Sequence, residues 1–251
     1  MKKTKMACGF LLLLAVLLVP TVFAGEVRLA VASNFVHTTR VLVDEFSAQQ
    51  SHRVLTSFGS TGKLFAQISN GAPFDVFLSA DVERPKRLEE NGSAVVGSRF
   101  TYAIGQLTLW ASSKSNLSGD CRVLLNRADF RRLAIANPKT APYGLATQQT
   151  LRRLGLWERY KSRLVRGENI AQTFQFVVTG NASLGFVALS QVKRTKKGVC
   201  RWDVPQDYHE PIKQQTVLLK RGATNTAAQA FMRFLQSEKA KSLIRRAGYA
   251  L

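Results

Sequence analysis

Two short stretches set small hydroxyl and amide side chains directly after an apolar run. Ser33-Asn34 follow VRLAVA, and Ser60-Thr61 follow VLTSFG. If each run is a strand and each pair opens a helix, unpaired N–H groups and the positive end of a helix dipole collect there. Such ends bind anions without any formal positive charge. A third turn of this kind, less sharp, runs from Ala136-Asn137 to Tyr143, and a helix beginning near Ile170 supplies a fourth. FGSTGKL, residues 58–64, also invites comparison with a nucleotide phosphate loop. That loop needs a glycine five positions before Gly62 and a Ser or Thr after Lys63. The chain has Ser57 and Leu64 at those places, which removes the nucleotide reading. An anion site and a plain helix cap remain, and the second unit at Ser33-Asn34 favours a shared anion site. Lys63, one turn into its helix, is expected to face solvent and is not assigned as a ligand.

Catalytic chemistry finds little footing. His37, His52 and His209 lie in no recognisable motif and read as surface or capping residues. HExxH, GxSxG and clustered carboxylate pairs are absent from the sequence. Asp75 and Asp81 flank a strand and read as turn and helix-start residues. The expectation is a protein that is not an enzyme.

The elements that would hold these turns alternate. VRLAVAS (27–33), VLTSF (54–58), a strand within 71–81, YAIGQLTLWAS (102–112), LAIAN (133–137), LGFVALS (184–190) and QQTVLLK (214–220) read as strands. Helices are expected over 36–50, from about 64, over 82–90 with a stop at Asn91-Gly92, over 143–154 and 170–179, and twice near the C-terminus (226–236 and 238–247). Strands alternating with helices argue for an α/β fold on parallel sheets. In such sheets ligands bind beyond the carboxyl ends of the strands, where the turns above would lie.

The chain opens with an export leader. Lys2, Lys3 and Lys5 precede the apolar run GFLLLLAVLLV, and Val22-Phe23-Ala24 fits a cleavage site. The apolar run is shorter than the about 20 residues that span a bilayer. Residues 1–24 are therefore expected to be a cleaved signal peptide and Cys8 an incidental part of it. Two cysteines follow, Cys121 and Cys200. An oxidising compartment favours a disulfide between them, and two separate buried thiols are the alternative. Neither has a second Cys or His at metal-ligand spacing, so no metal site is expected. The formal charge of the whole chain is +20, and loss of the leader removes three of those charges. The basic residues are dispersed and form no aromatic-interleaved stripe. A solvated basic surface, without a specific nucleic-acid site, is the expectation.

AVASNF (30–35), SFGSTGKLFAQISNGAPFDVFLSAD (57–81), YAIGQLTLWA (102–111), NPKTAPYG (137–144), GENIAQTFQFVVTGNASLGFVALSQV (167–192) and AFMRFLQSEKAKSLIRRAGY (230–249) together resemble the periplasmic molybdate-binding proteins of ABC transporters. The block from Ser57 to Asp81 is the most specific. The resemblance implies an α/β, two-lobed periplasmic binding protein fold, each lobe a mostly parallel sheet flanked by helices, with the anion in the interlobe cleft. It implies lobe 1 over 25–104 and again over 213–251, and lobe 2 over 105–212. Ligand contacts carry over to Ser33 and Ser60 by matching motif. Asn34 and Thr61 stand beside them with backbone N–H groups, Tyr143 fills the PYG position, and Ile170 contributes its backbone. One departure stands out: many relatives have a tyrosine where this chain has Ala188, and Tyr143 is expected to supply the missing hydroxyl. The implied function is capture of molybdate, and also tungstate, by a periplasmic monomer that delivers to a membrane permease, with no cofactor. A fully ionised tetrahedral dianion only accepts hydrogen bonds, which suits a site of N–H and O–H donors. Phosphate near neutral pH keeps a proton and would want an acceptor that the serine turns lack. A binding protein of this fold for sulfate or another anion is the alternative, followed by an enzyme on the same scaffold.

Overall fold

The fold is described from a computed structural model, over residues 25–128, 130–195 and 198–251. The expected signal peptide lies outside the described residues, as do two of the lysines in KRTKK. Along the chain the elements are β1 (Glu26–Ala32), α1 (Val36–Gln49), β2 (Arg53–Gly59), α2 (Thr61–Ser69), β3 (Val76–Leu78), α3 (Glu83–Glu90), β4 (Phe100–Gly105), β5 (Leu107–Ser112), α4 (Cys121–Arg127), β6 (Leu133–Ala136), α5 (Pro142–Arg153), α6 (Trp157–Tyr160), β7 (Leu164–Gly167), α7 (Ile170–Val178), β8 (Leu184–Ala188), α8 (Leu189–Val192), β9 (Gly198–Asp203), β10 (Ile212–Leu218), α9 (Thr226–Gln236) and α10 (Glu238–Arg246). A 3₁₀ turn, Ser33–Phe35, joins β1 to α1.

The strands form two five-stranded sheets with matching order, β2-β1-β3-β10-β4 and β7-β6-β8-β5-β9. In each sheet the fourth strand is antiparallel to both neighbours, and the other strands share one direction. That reversed strand is the first one the chain enters after crossing from the other sheet. The crossings are β4 to β5 through Gln106, and β9 to β10 through residues 204–211. Each sheet with its helices is one lobe.

The inner strands of each sheet are buried on both faces, which explains their nearly continuous apolar sequence. Along β1, Val27, Leu29 and Val31 join the cluster that holds Phe35, Leu42, Phe46, Phe231 and Ile244. Ala30, on the opposite face, packs with Leu64, Ile68, Phe77 and Leu88. The second sheet repeats the pattern: Leu133, Ile135, Leu184 and Phe186 face one cluster, and Ala134, Val187 and Trp110 the other. Cys121 on α4 and Cys200 on β9 are joined by a disulfide with a Cα–Cα distance of 5.4 Å. Among the described residues no helix is long and apolar enough to cross a membrane.

Two expectations need correction. The run YAIGQLTLWAS is not one strand: it divides at Gln106 into the last strand of one sheet and the first of the other. LGFVALS ends as a strand at Ala188, where α8 begins, and strands β7 and β9 and helices α4, α6 and α8 have no counterpart among the expected elements. β7 and β9 are the edge strands of their sheet and are only partly buried, so they lack the apolar runs that mark inner strands.

Candidate anion site

Four chain turns meet between the lobes. Lobe 1 brings the 3₁₀ turn at Ser33 and the start of α2 at Thr61; lobe 2 brings the starts of α5 at Pro142 and α7 at Ile170. Ser33, Asn34, Ser60, Thr61, Tyr143 and Ile170 all line one small space of about 10 Å³, and all six are buried. A cavity of that size just holds one water-sized sphere, so the two lobes are closed on each other. None of the lining residues carries a formal charge.

The side chains at these turns have different tasks. Ser60 precedes α2 with extended backbone, yet its side chain makes no cap bond. Its Oγ is buried without a hydrogen-bond partner. The plain-cap reading of this serine therefore fails. The Thr61 Oγ1 accepts the backbone N–H of Ala80 at 3.1 Å, tying the loop after β3 to the start of α2. Asn34 does not cap either. Its Nδ2 donates to Gln214 Oε1 at 2.7 Å and to the Tyr249 hydroxyl at 3.2 Å. At α7 the cap is genuine: Asn169 accepts the N–H of Gln172 through its side chain. Gln191 then fixes that helix start from outside, donating to Ile170 O at 3.2 Å and accepting the Ala188 N–H at 2.9 Å.

Behind the cavity lies a buried polar network that the sequence reading missed. Gln214 on β10 is fully buried. Its Oε1 accepts from Asn34 and, at 3.2 Å, from the Tyr102 hydroxyl. Its Nε2 faces the Tyr143 hydroxyl at 3.5 Å. Tyr143 can lie there because Gly105 has no side chain; a β-carbon would sit 2.2 Å from the phenol oxygen. Tyr249, three residues beyond α10, donates to Asn34 O at 2.8 Å and lies 2.9 Å from Ser190 Oγ of the other lobe. Burial raises the pKa of all three phenols: Tyr102 and Tyr143 well above the usual value, and Tyr249 to about 12. They stay neutral, each with a proton to donate. The one sequence signal for Gln214 was its place at the start of the strand QQTVLLK.

At the rim the lobes touch directly. The Gly62 N–H donates to Thr140 O at 2.9 Å across the cleft. Arg84, paired with Asp81 on its own lobe, also reaches Lys139 O at 3.3 Å. Lys63 is not simply solvent-facing: it forms an ion pair with Glu168 of the other lobe, both ends about half exposed.

Residues 27–250 match the family described as bacterial extracellular solute-binding protein. The chain belongs to the bacterial extracellular solute-binding proteins. Among relatives, the molybdate-binding protein ModA of Azotobacter vinelandii is 51% identical over 230 residues, covering 91% of each chain. ModA of Rhodobacter capsulatus is 46% identical over 226 residues, covering 90% of this chain and 88% of that one. The solved structure of the Azotobacter vinelandii periplasmic molybdate-binding protein superposes with a TM-score of 0.85 at 41% identity, covering 90% of this chain and 99% of that one. The solute-binding fold and the non-enzymatic class rest on these likenesses. In this solute-binding protein Ala188 is buried outside the lining of the cavity, whereas Tyr143 is part of that lining.

Proposed function

We propose that this solute-binding protein captures molybdate in the periplasm for an ABC importer. Tungstate, with the same charge and tetrahedral shape, is bound by the same donors. The observation that carries the reading is the Ser60 hydroxyl: buried, unpartnered, and set in an uncharged cavity among four chain turns. A buried polar group without a partner is costly and calls for an explanation, and at Ser60 a bound oxyanion supplies one. Ser33, Ser60 and Tyr143 supply hydroxyl donors in this reading. The backbone at Asn34, Thr61 and Ile170 supplies N–H groups. The cavity holds no carboxylate to accept a proton from a protonated oxyanion, which disfavours phosphate.

In the same reading residues 1–24 direct export and are removed, and the mature protein acts as a monomer. Lobe 1 takes residues 25–104 and 213–251, and lobe 2 takes 105–212. They hinge at Gln106 and at the 204–211 segment, and their closed form is what the permease receives. The basic surface attracts anions without serving a specific nucleic-acid site. Titration calorimetry with molybdate, tungstate, sulfate and phosphate tests the ligand. Tight binding of the first two and weak binding of the others is expected; sulfate bound as tightly as molybdate overturns the assignment.

A further inference from the structure

Two surface grooves flank the buried cavity, and they differ in charge. One, of about 390 Å³, shares Ala80 and Pro142 with the cavity. It carries Glu83 and Glu210 against a single lysine, Lys213, while its third acid, Asp81, is neutralised by Arg84. The other groove is larger, about 670 Å³, and shares Ser33 and Asn34 with the cavity. Its walls come from both lobes: His37 and Arg40 on α1, and Arg194 just beyond α8. No carboxylate lines it. Among the described residues neither arginine has an ion-pair partner, and both are exposed. His37 senses their field. Its pKa is lowered, first by burial and then by Arg194 and Arg40, so the imidazole is neutral at pH 7 and the arginines supply the positive charge.

We propose that this larger groove is the port through which a tetrahedral dianion reaches the cavity, with Arg40 and Arg194 as its electrostatic guide. The inference rests on the oxyanion reading of the site and adds a direction to it. The linings thus differ in sign, basic at the larger groove and slightly acidic at the smaller one, so a dianion favours the larger. Clefts lined by one sign of charge focus the field and raise association rates. The two arginines lie outside the cavity lining, so they act on the approach and leave the bound state to Ser60 and its neighbours.

The test separates arrival from departure. Arg40→Gln, Arg194→Gln and the double variant are compared with the unmodified protein. Calorimetry gives the Kd for molybdate, and exchange of isotope-labelled against excess unlabelled molybdate gives the dissociation rate; their quotient is the association rate. At low ionic strength association is expected to slow about threefold in each single variant and about tenfold in the double. Dissociation stays unchanged, and the difference fades in concentrated salt as the charges are screened. Glu83→Gln and Glu210→Gln are expected not to slow association. Matching melting temperatures confirm that the variants are folded. Association at the unmodified rate in the double variant, or a loss confined to dissociation, overturns the port. Failure of the unmodified protein to bind molybdate at all would instead sink the ligand reading, and the port with it.

Discussion

A serine at a helix start can serve the helix or serve a ligand, and Ser60 is free for the second. A hydrogen bond to a charged group contributes about 1.5–3 kcal/mol. Ser60→Ala is therefore expected to weaken molybdate binding by roughly 10- to 150-fold by calorimetry, from the same range. Because the Oγ has no partner within the protein, the melting temperature of the ligand-free protein should not fall. Unchanged affinity would remove this serine from the site. The buried phenols give a second expectation. Tyr249 is held at about 12 by burial, against an ordinary value near 10. A phenol whose pKa is raised on folding stabilises fully below the unfolded value, and that stability is lost as pH climbs through the folded one. Stability from this group should thus be flat from neutral pH to about 10 and decline between about 10 and 12. Denaturation midpoints across that range check it, with phenolate absorbance reporting the ionisation. A decline beginning near pH 8 would contradict it.

At the scale of elements, closure depends on how near α2 of lobe 1 can come to the loop before α5 of lobe 2. A β-carbon at Gly62 would lie 3.1 Å from Thr140 Cα and 3.2 Å from an Arg84 nitrogen. Gly62→Ala is expected to push the lobes slightly apart and weaken binding by about 1–3 kcal/mol, the usual range for an added methyl in tight packing. Small-angle scattering with ligand present should record a less compact form than the unmodified protein gives. Glu168→Gln removes the ion pair with Lys63 at the same rim. Both partners are about half exposed, so the loss is at most about 1 kcal/mol and should disappear in high salt. An equal loss at low and high salt would mean the pair has no closing role.

Most of these elements were legible in the sequence because burial on both sheet faces writes itself as apolar runs. The strand before Ser33 stood out for that reason, whereas the unit at Ser60 follows a partly exposed edge strand and was marked by its Gly-Ser-Thr turn. The change of sheet at Gln106 did not, since Gly105-Gln106 interrupts neither the extended backbone nor the apolar pattern on either side. The network of Gln214, Tyr102, Tyr249 and Ser190 was also hidden. It joins residues up to 215 positions apart, and no local spacing encodes such a meeting. Asn34 lines the cavity, and its side chain belongs to this network.

At the scale of the whole molecule, the disulfide stays within one lobe, tying α4 to β9 over a separation of 79 residues. A native bridge of this kind typically contributes about 2–5 kcal/mol. Reduction, or Cys121→Ser with Cys200→Ser, should lower the free energy of unfolding by that amount and leave molybdate affinity unchanged, since neither cysteine lines the cavity. A thiol count on the non-reduced protein should find both residues blocked.

The place of β10 carries a consequence for the order of assembly. It lies between β3 and β4, strands made more than a hundred residues earlier in the chain. During synthesis or threading across a membrane, those two strands are finished long before the strand that joins them arrives, and each waits with an open edge. Unpaired edges are templates for wrong pairing, and such distant contacts form slowly. The second lobe has no such gap, because its five strands are consecutive from β5 to β9. It can complete itself while the first is still divided. A chain stopped before Ile212 should keep one lobe and lose the other, leaving the cavity between them with one wall.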